Sequence, residues 1–138
     1  MADSCTRLDD TLAIAALYRC LVRHLVRDPA LNSGQTGASR AINEENGWRA
    51  QRYGIHGTFV TEEGAVTVGE MLERVIEETA ADASALGCAE EIAHCRKIVG
   101  GGTSADTQLA VFKEEHGRSN RKGALQAVTD WIVGATMR

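Results

Sequence analysis

Asn46-Gly47-Trp48-Arg49-Ala50-Gln51-Arg52-Tyr53-Gly54 gathers two guanidinium groups, an indole and a phenol within about three turns of helix. Arg49 and Arg52 are three residues apart and share a face, with Asn46 one turn before Arg49 and Tyr53 one turn after it. Such a face suits an anion. Guanidinium forks bind carboxylate or phosphate in a planar, two-point manner that lysine cannot copy, and flanking rings can hold the forks by stacking. The competing reading makes Trp48 a core residue and the arginines a solvated rim. Gly54 follows Tyr53 where a left-handed closing residue is expected, and Ser39 stands where a hydroxyl can cap the start, so the stretch predicts a helix from about Ser39 to Tyr53. Gly47 in its interior weakens it by about 1 kcal/mol relative to alanine.

Working outward, the segment from Asp9 to Val26 carries two adjoining apolar rows, Leu12-Ala16-Cys20 and Ala13-Leu17-Leu21-His24, and predicts a helix buried on much of its surface. Arg19, Arg23 and Arg27, spaced by four, form a basic ridge on it, read as a solvated face or as ion pairs to neighbouring acids. Pro29 stops this helix because it disfavours helical geometry in Asp28. Residues 32–39, polar and glycine-bearing, read as a loop. After the arginine-rich helix, Ile55 to Val60 and Ala65 to Val68 flank a polar turn and read as a short hairpin that must lean on helices. Thr67 with Glu70 fits a capping box, opening a helix to about Leu86 with Met71, Leu72, Val75, Ile76, Thr79 and Ala83 inward. A helix from about Ala89 to Val99 ends at Gly100-Gly101-Gly102. The glycines followed by Thr103-Ser104 resemble a phosphate loop but lack its lysine and preceding strand, and the preferred reading is a turn with Thr103 capping the next helix near Asp106. Helices from about Ser104 to His116, with Leu109 and Phe112 inward, and from about Lys122 to Thr136, with Leu125, Val128, Trp131, Ile132 and Ala135 inward, flank a basic loop over residues 117–122.

The 138 residues suit one domain, and the 43% hydrophobic content supports a modest core. A net charge of -4 argues against a general nucleic-acid binder. Through Gly57 the seven basic residues are all arginine, against six acidic ones, which suits a small anionic ligand better than a polyanion. Cys5, Cys20, Cys88 and Cys95 form no CxxC pair and no secretory signal is visible, so reduced thiols in a cytoplasmic protein are expected. Cys20 and His24 could supply two metal ligands at i, i+4 spacing, but a zinc site needs four donors, and buried thiols are the ordinary outcome. No metal site is expected, nor any membrane span.

Asp3-Ser4-Cys5-Thr6-Arg7 leading into Asp10-Thr11-Leu12-Ala13-Ile14-Ala15-Ala16-Leu17, then Glu45 to Gly54, Ala85-Leu86-Gly87-Cys88 and Gly102-Thr103-Ser104-Ala105-Asp106-Thr107-Gln108 occur in one order along the whole chain. That order resembles the C-terminal part of the bacterial carboxylate-amine ligases, the type-2 glutamate-cysteine ligase family, which joins a carboxylate to an amine using ATP. The resemblance implies a mainly α chain of five to six helices with one short β-hairpin, the C-terminal portion of a glutamine-synthetase-like α+β catalytic fold. Residues 1–138 would form a single helical region, with the catalytic sheet lying upstream of it. It further implies ATP and Mg2+ as cofactors of the complete enzyme, with neither bound by this chain alone, and an expectation that the chain is inactive by itself. Partners would be an amino-acid carboxylate and an amine, once an N-terminal half completes the site. Combined with the shared helix face, it makes Arg49 and Arg52 the substrate-binding residues, Asn46 and Tyr53 their orienting neighbours, and Asp3 and Thr6 weaker candidates. The rival expectation is a non-catalytic helical interaction or dimerisation domain, a homodimer included, suggested by the broad apolar first helix.

Overall fold

A computed structural model of the chain describes residues 5–137. Seven helices and one hairpin follow in the order α1 (Leu8–Arg27), α2 (Gly37–Tyr53), β1 (Thr58–Thr61), β2 (Gly64–Thr67), α3 (Val68–Glu78), α4 (Ala80–Leu86), α5 (Ala89–Gly101), α6 (Ser104–Arg118) and α7 (Arg121–Thr136). Because α3 and α4 are separated only by Thr79, they make one bent rod, and the chain is the six-helix, one-hairpin arrangement that its sequence predicts.

The core lies where α1 crosses α4 and α5. Its contact residues are small: Ala13, Ala16 and Cys20 of α1 are buried, and Ala16 and Cys20 pack with Ala83, Cys88 and Ile92. Small side chains let the helices approach closely, and Ile92, the largest fully buried side chain, contributes about 2 kcal/mol by its removal from water. Leu17, Ile76 and Leu86 extend this cluster toward the surface. Of the expected row Leu12-Ala16-Cys20, Ala16 and Cys20 are buried in this core, and Leu12, one turn earlier, is left half exposed.

Each turn has a local cause. Pro29 opens a short 3-10 turn over Pro29–Asn32, capped by the Asp28 carboxylate accepting from the Ala30 amide, so α1 ends at Arg27. Thr36, three residues before the expected cap, closes the start of α2, and Ser39 reciprocates by accepting from the Thr36 amide. Gly54 takes φ 54° at the end of α2, and Ile55 enters a 3-10 turn, so the first strand starts at Thr58. Thr67 and Glu70 form the expected capping box of α3. Thr79 bends the rod: its hydroxyl donates to the Val75 carbonyl at 2.6 Å, in competition with the helix ladder. At the end of α4, Gly87 adopts φ 64° and the Cys88 amide reaches back to the Ala83 carbonyl, the paired closure that a left-handed residue permits.

The last two helices pack chiefly on each other, with Ala124 buried between them. Leu109 and Leu125, expected inside, are more than half exposed. Between α6 and α7 only Ser119 and Asn120 remain outside helix, the Asn120 side chain capping α7, so the basic loop expected over 117–122 is mostly helical.

Candidate functional site

The hairpin is antiparallel, with Phe59 opposite Val66 and Val60 opposite Ala65. With two strands alone, the outer edge of β1 would leave main-chain groups unpaired. Asn46 occupies that edge. Its side-chain amide donates to the Val60 carbonyl at 2.9 Å and its oxygen accepts from the Val60 amide at 2.7 Å, so one side chain imitates a neighbouring strand. One turn later, Arg49 donates through Nε to Glu45 at 2.7 Å and through one terminal nitrogen to the Thr58 hydroxyl at 2.8 Å. The two residues fasten α2 to the hairpin. The hollow between them, lined by Asn46, Arg49, Gly54, Thr58, Phe59 and Val68, holds only about 20 Å³.

Arg52, on the same side of α2, is exposed and enters no ion pair or hydrogen bond among the described residues. Trp48 and Tyr53 are also half exposed, and their rings meet each other edge-on with centroids 5.7 Å apart. Trp48 is therefore not a core residue. No residue of α2 is buried, so this helix carries its arginine, indole and phenol outward. Thr6 is half buried just ahead of α1 and makes no side-chain hydrogen bond to α2; Asp3 lies outside the described residues.

The charged centre of the chain is one the sequence reading did not single out. Asp82 of α4 is fully buried and receives Arg23, then Arg27 at 2.8 Å, with His24 at 3.1 Å on its second oxygen. The bend at Thr79 turns α4 so that this carboxylate faces α1. The Arg27 guanidinium, then Arg23 and His24, hold its carboxyl down to about 2 against the opposing effect of burial. Two of the three ridge arginines are thus spent on an internal ion cluster; their regular spacing was the only sequence signal of a buried acid opposite. His94 bonds to the buried Asp10 at 2.8 Å, linking α5 to the first turn of α1.

His24 is engaged by Asp82, and Cys20 faces Cys88 with sulfurs 3.6 Å apart, so the pair does not project into a common metal-binding space. Burial, then the neighbouring Cys88, pushes the Cys20 thiol up to about 11. All four cysteines carry free thiols. Among the described residues, no three acidic, histidine or cysteine side chains converge as a metal cradle. At Gly102, φ 92°, the chain closes onto Asp106, whose carboxylate accepts from the Thr103 amide and hydroxyl at 2.8 and 2.7 Å. Those bonds, with His56 at 3.0 Å, hold the Asp106 carboxyl down to about 2. A carboxylate thus fills the position a phosphate would need.

The sequence that builds these elements matches a defined family. The pattern of the glutamate-cysteine ligase family 2 (GCS2) covers residues 1–130. The chain belongs to that family. It corresponds to the family's C-terminal part, and relatives agree. Proteins named "Putative glutamate--cysteine ligase 2" from Bradyrhizobium diazoefficiens and from Bradyrhizobium sp. strain ORS 278 are 47% and 49% identical over 135 residues, 98% of this chain in each case. One of the same name from Rhodospirillum rubrum is 43% identical over 140 residues, 99% of the chain. The chain spans 30%, 32% and 36% of these relatives' lengths, about a third. No solved structure matches it. No helix among the described residues is long and apolar enough to cross a membrane.

Proposed function

We propose that this chain is the C-terminal portion of an ATP-dependent carboxylate-amine ligase of the glutamate-cysteine type, and that it forms a site only with the other two-thirds of such an enzyme. The observation that carries this reading is the family match along nearly the whole chain, at about a third of the relatives' length. In the complete enzyme ATP with Mg2+ would convert a carboxylate to an activated acyl group, and a fixed cation would hold the carboxylate or offset charge that develops during amine attack. We assign the metal and the nucleotide to the remainder of the enzyme; among the described residues no three acidic, histidine or cysteine side chains converge as a metal cradle.

Within this portion, Arg52 is the substrate-facing guanidinium. Arg49, braced by Glu45 and Thr58, keeps the helix and hairpin in register beside it and lends positive charge to the same face. Asn46 and Tyr53 position these two through the hairpin edge and the Trp48 ring. Thr6, just ahead of α1, and Asp3, which lies outside the described residues, complete the set of substrate-binding candidates. A chimera in which this chain replaces the matching third of the Bradyrhizobium diazoefficiens relative tests the reading. It should release ADP in a manner dependent on glutamate and cysteine, whereas the chain alone should not; a cooperatively folded chimera without turnover, beside an active parent, would count against it. The bare outer side of α1 also favours a second reading, a non-catalytic helical module that dimerises, which predicts a stable dimer of the chain alone at micromolar concentration and no turnover in the chimera.

A further inference from the structure

Helix α1 is about 30 Å long at 1.5 Å per residue, and only one side of it is covered. Ala13, Ala16 and Cys20 face α5, while Leu8, Leu12, Tyr18, Val22, Leu25 and Val26 are between 43% and 73% exposed. At 100° per residue these six fall on a single continuous arc of about 140°, interrupted chiefly by Arg19 near one border. A helix that meets water on one side carries polar residues there, so an apolar stripe of this length marks an interface. At its N-terminal end the stripe opens into a cleft of about 380 Å³ between the two ends of the chain, lined by Arg7, Leu8, Asp9, Asp130, Trp131 and Gly134. Stripe and cleft make one continuous surface with Trp131 at its end.

We propose that this surface is the seat of the remaining two-thirds of the ligase, which lays an apolar face along α1, places a carboxylate opposite Arg19, and inserts an apolar side chain beside Trp131. This rests on the ligase reading above. Three observations select that occupant. The relatives carry roughly twice as much further chain as the part matched here, enough to cover the whole stripe. The surface adjoins the first described residues of α1, where the sequence resemblance places the junction with the upstream sheet. Arg19, Arg23 and Arg27 edge the stripe on one side only, and Arg23 and Arg27 are held by Asp82, which leaves Arg19 for an acid of the partner. In an antiparallel pairing, a second copy of the chain would bring the same arginine borders toward each other across the interface.

Thiol accessibility tests this. A Val22→Cys substitution, at a side chain already half exposed, is made in the chain alone and in the chimera with the upstream part of the Bradyrhizobium diazoefficiens relative. Maleimide labelling at that position is followed by mass spectrometry, with Ala93→Cys, exposed on α5, as the reference in each protein. The proposal expects fast labelling at position 22 in the chain alone and at least about tenfold slower labelling in the chimera, with position 93 unchanged. Equal labelling of position 22 in both proteins overturns it. Protection in the chain alone that grows with its concentration also overturns it, in favour of a second copy. Since the readout is independent of turnover, a protected but inactive chimera would retain this docking and fault the ligase assignment, whereas an active chimera with an open position 22 would do the reverse. Val22→Asp in the chimera gives an independent check: it should lower the chimera's midpoint and leave that of the chain alone nearly unchanged, and equal effects on both would count against the proposal.

Discussion

Replacing Asn46 by alanine removes both bonds to Val60, at 2.9 and 2.7 Å, from the outer edge of β1. Each such bond contributes about 1 kcal/mol net, and Val60 is half buried, so water replaces the lost partners only in part. The expected loss is about 2 kcal/mol, with the hairpin affected first because its only other strand is β2. Hydrogen exchange monitored residue by residue should show the amides of 58–67 opening about thirtyfold more often, the equivalent of 2 kcal/mol, while those of α5 change less. Asn46→Asp keeps the acceptor but sets a carboxylate against the Val60 carbonyl, so it should not restore protection. If Asn46→Ala leaves hairpin exchange within about threefold of the parent, Asn46 does not hold this edge, and its place in the motif has to be explained by contact with a ligand instead.

Arg49→Ala should also loosen the hairpin, by loss of the Thr58 bond, whereas Arg52→Ala should shift the thermal midpoint of the isolated chain by less than about 2 °C, as expected for an exposed side chain without partners among the described residues. Thr103→Ala removes the cap of α6 and should cost about 1 kcal/mol by denaturant titration. Acid should expose Asp82. Its carboxyl lies near 2 in the folded chain against 3.8 ordinarily, so the unfolded chain takes up the proton first; the stability it gives is present above about pH 4 and is lost as pH falls toward 2. Asp82→Asn should lower stability at pH 7 and flatten that part of the pH profile, and an unchanged acid profile in this variant would refute the assignment. Gly87→Ala, at φ 64°, should destabilise by about 1 kcal/mol in the same titration, since alanine is strained there.

The helices were legible because their ends are written in local chemistry: Thr67 with Glu70, Thr103 before Asp106, and Gly54 and Gly87 at left-handed closures. Periodicity marked the inner side of α1 through Ala13, Ala16 and Cys20, but it could not show that Leu12, on the same row, is left half exposed. Leu109 and Leu125 were misplaced for a related reason, since α6 and α7 meet mainly each other and leave those positions outside. In the candidate site, the shared face of Arg49 and Arg52 could be read from spacing, but the division of labour could not. It depends on Glu45, Thr58 and the edge of a hairpin 14 residues from Asn46. Asp82 gave no motif of its own; it is turned toward α1 by the bend at Thr79, whose hydroxyl bonds back to the Val75 carbonyl, and a threonine in a helical stretch does not by itself announce a bend.

On the proposed function, α2 of this chain supplies a carboxylate-reading cation to a cavity whose opposite wall belongs to the rest of a ligase. Calorimetric titration of glutamate into the chimera, in parallel with its Arg52→Ala variant and with the chain alone, tests it most directly. The account predicts binding to the chimera, at least about tenfold weaker binding to the variant, and none to the chain alone. Equal affinity of chimera and variant, with both folded, would contradict it.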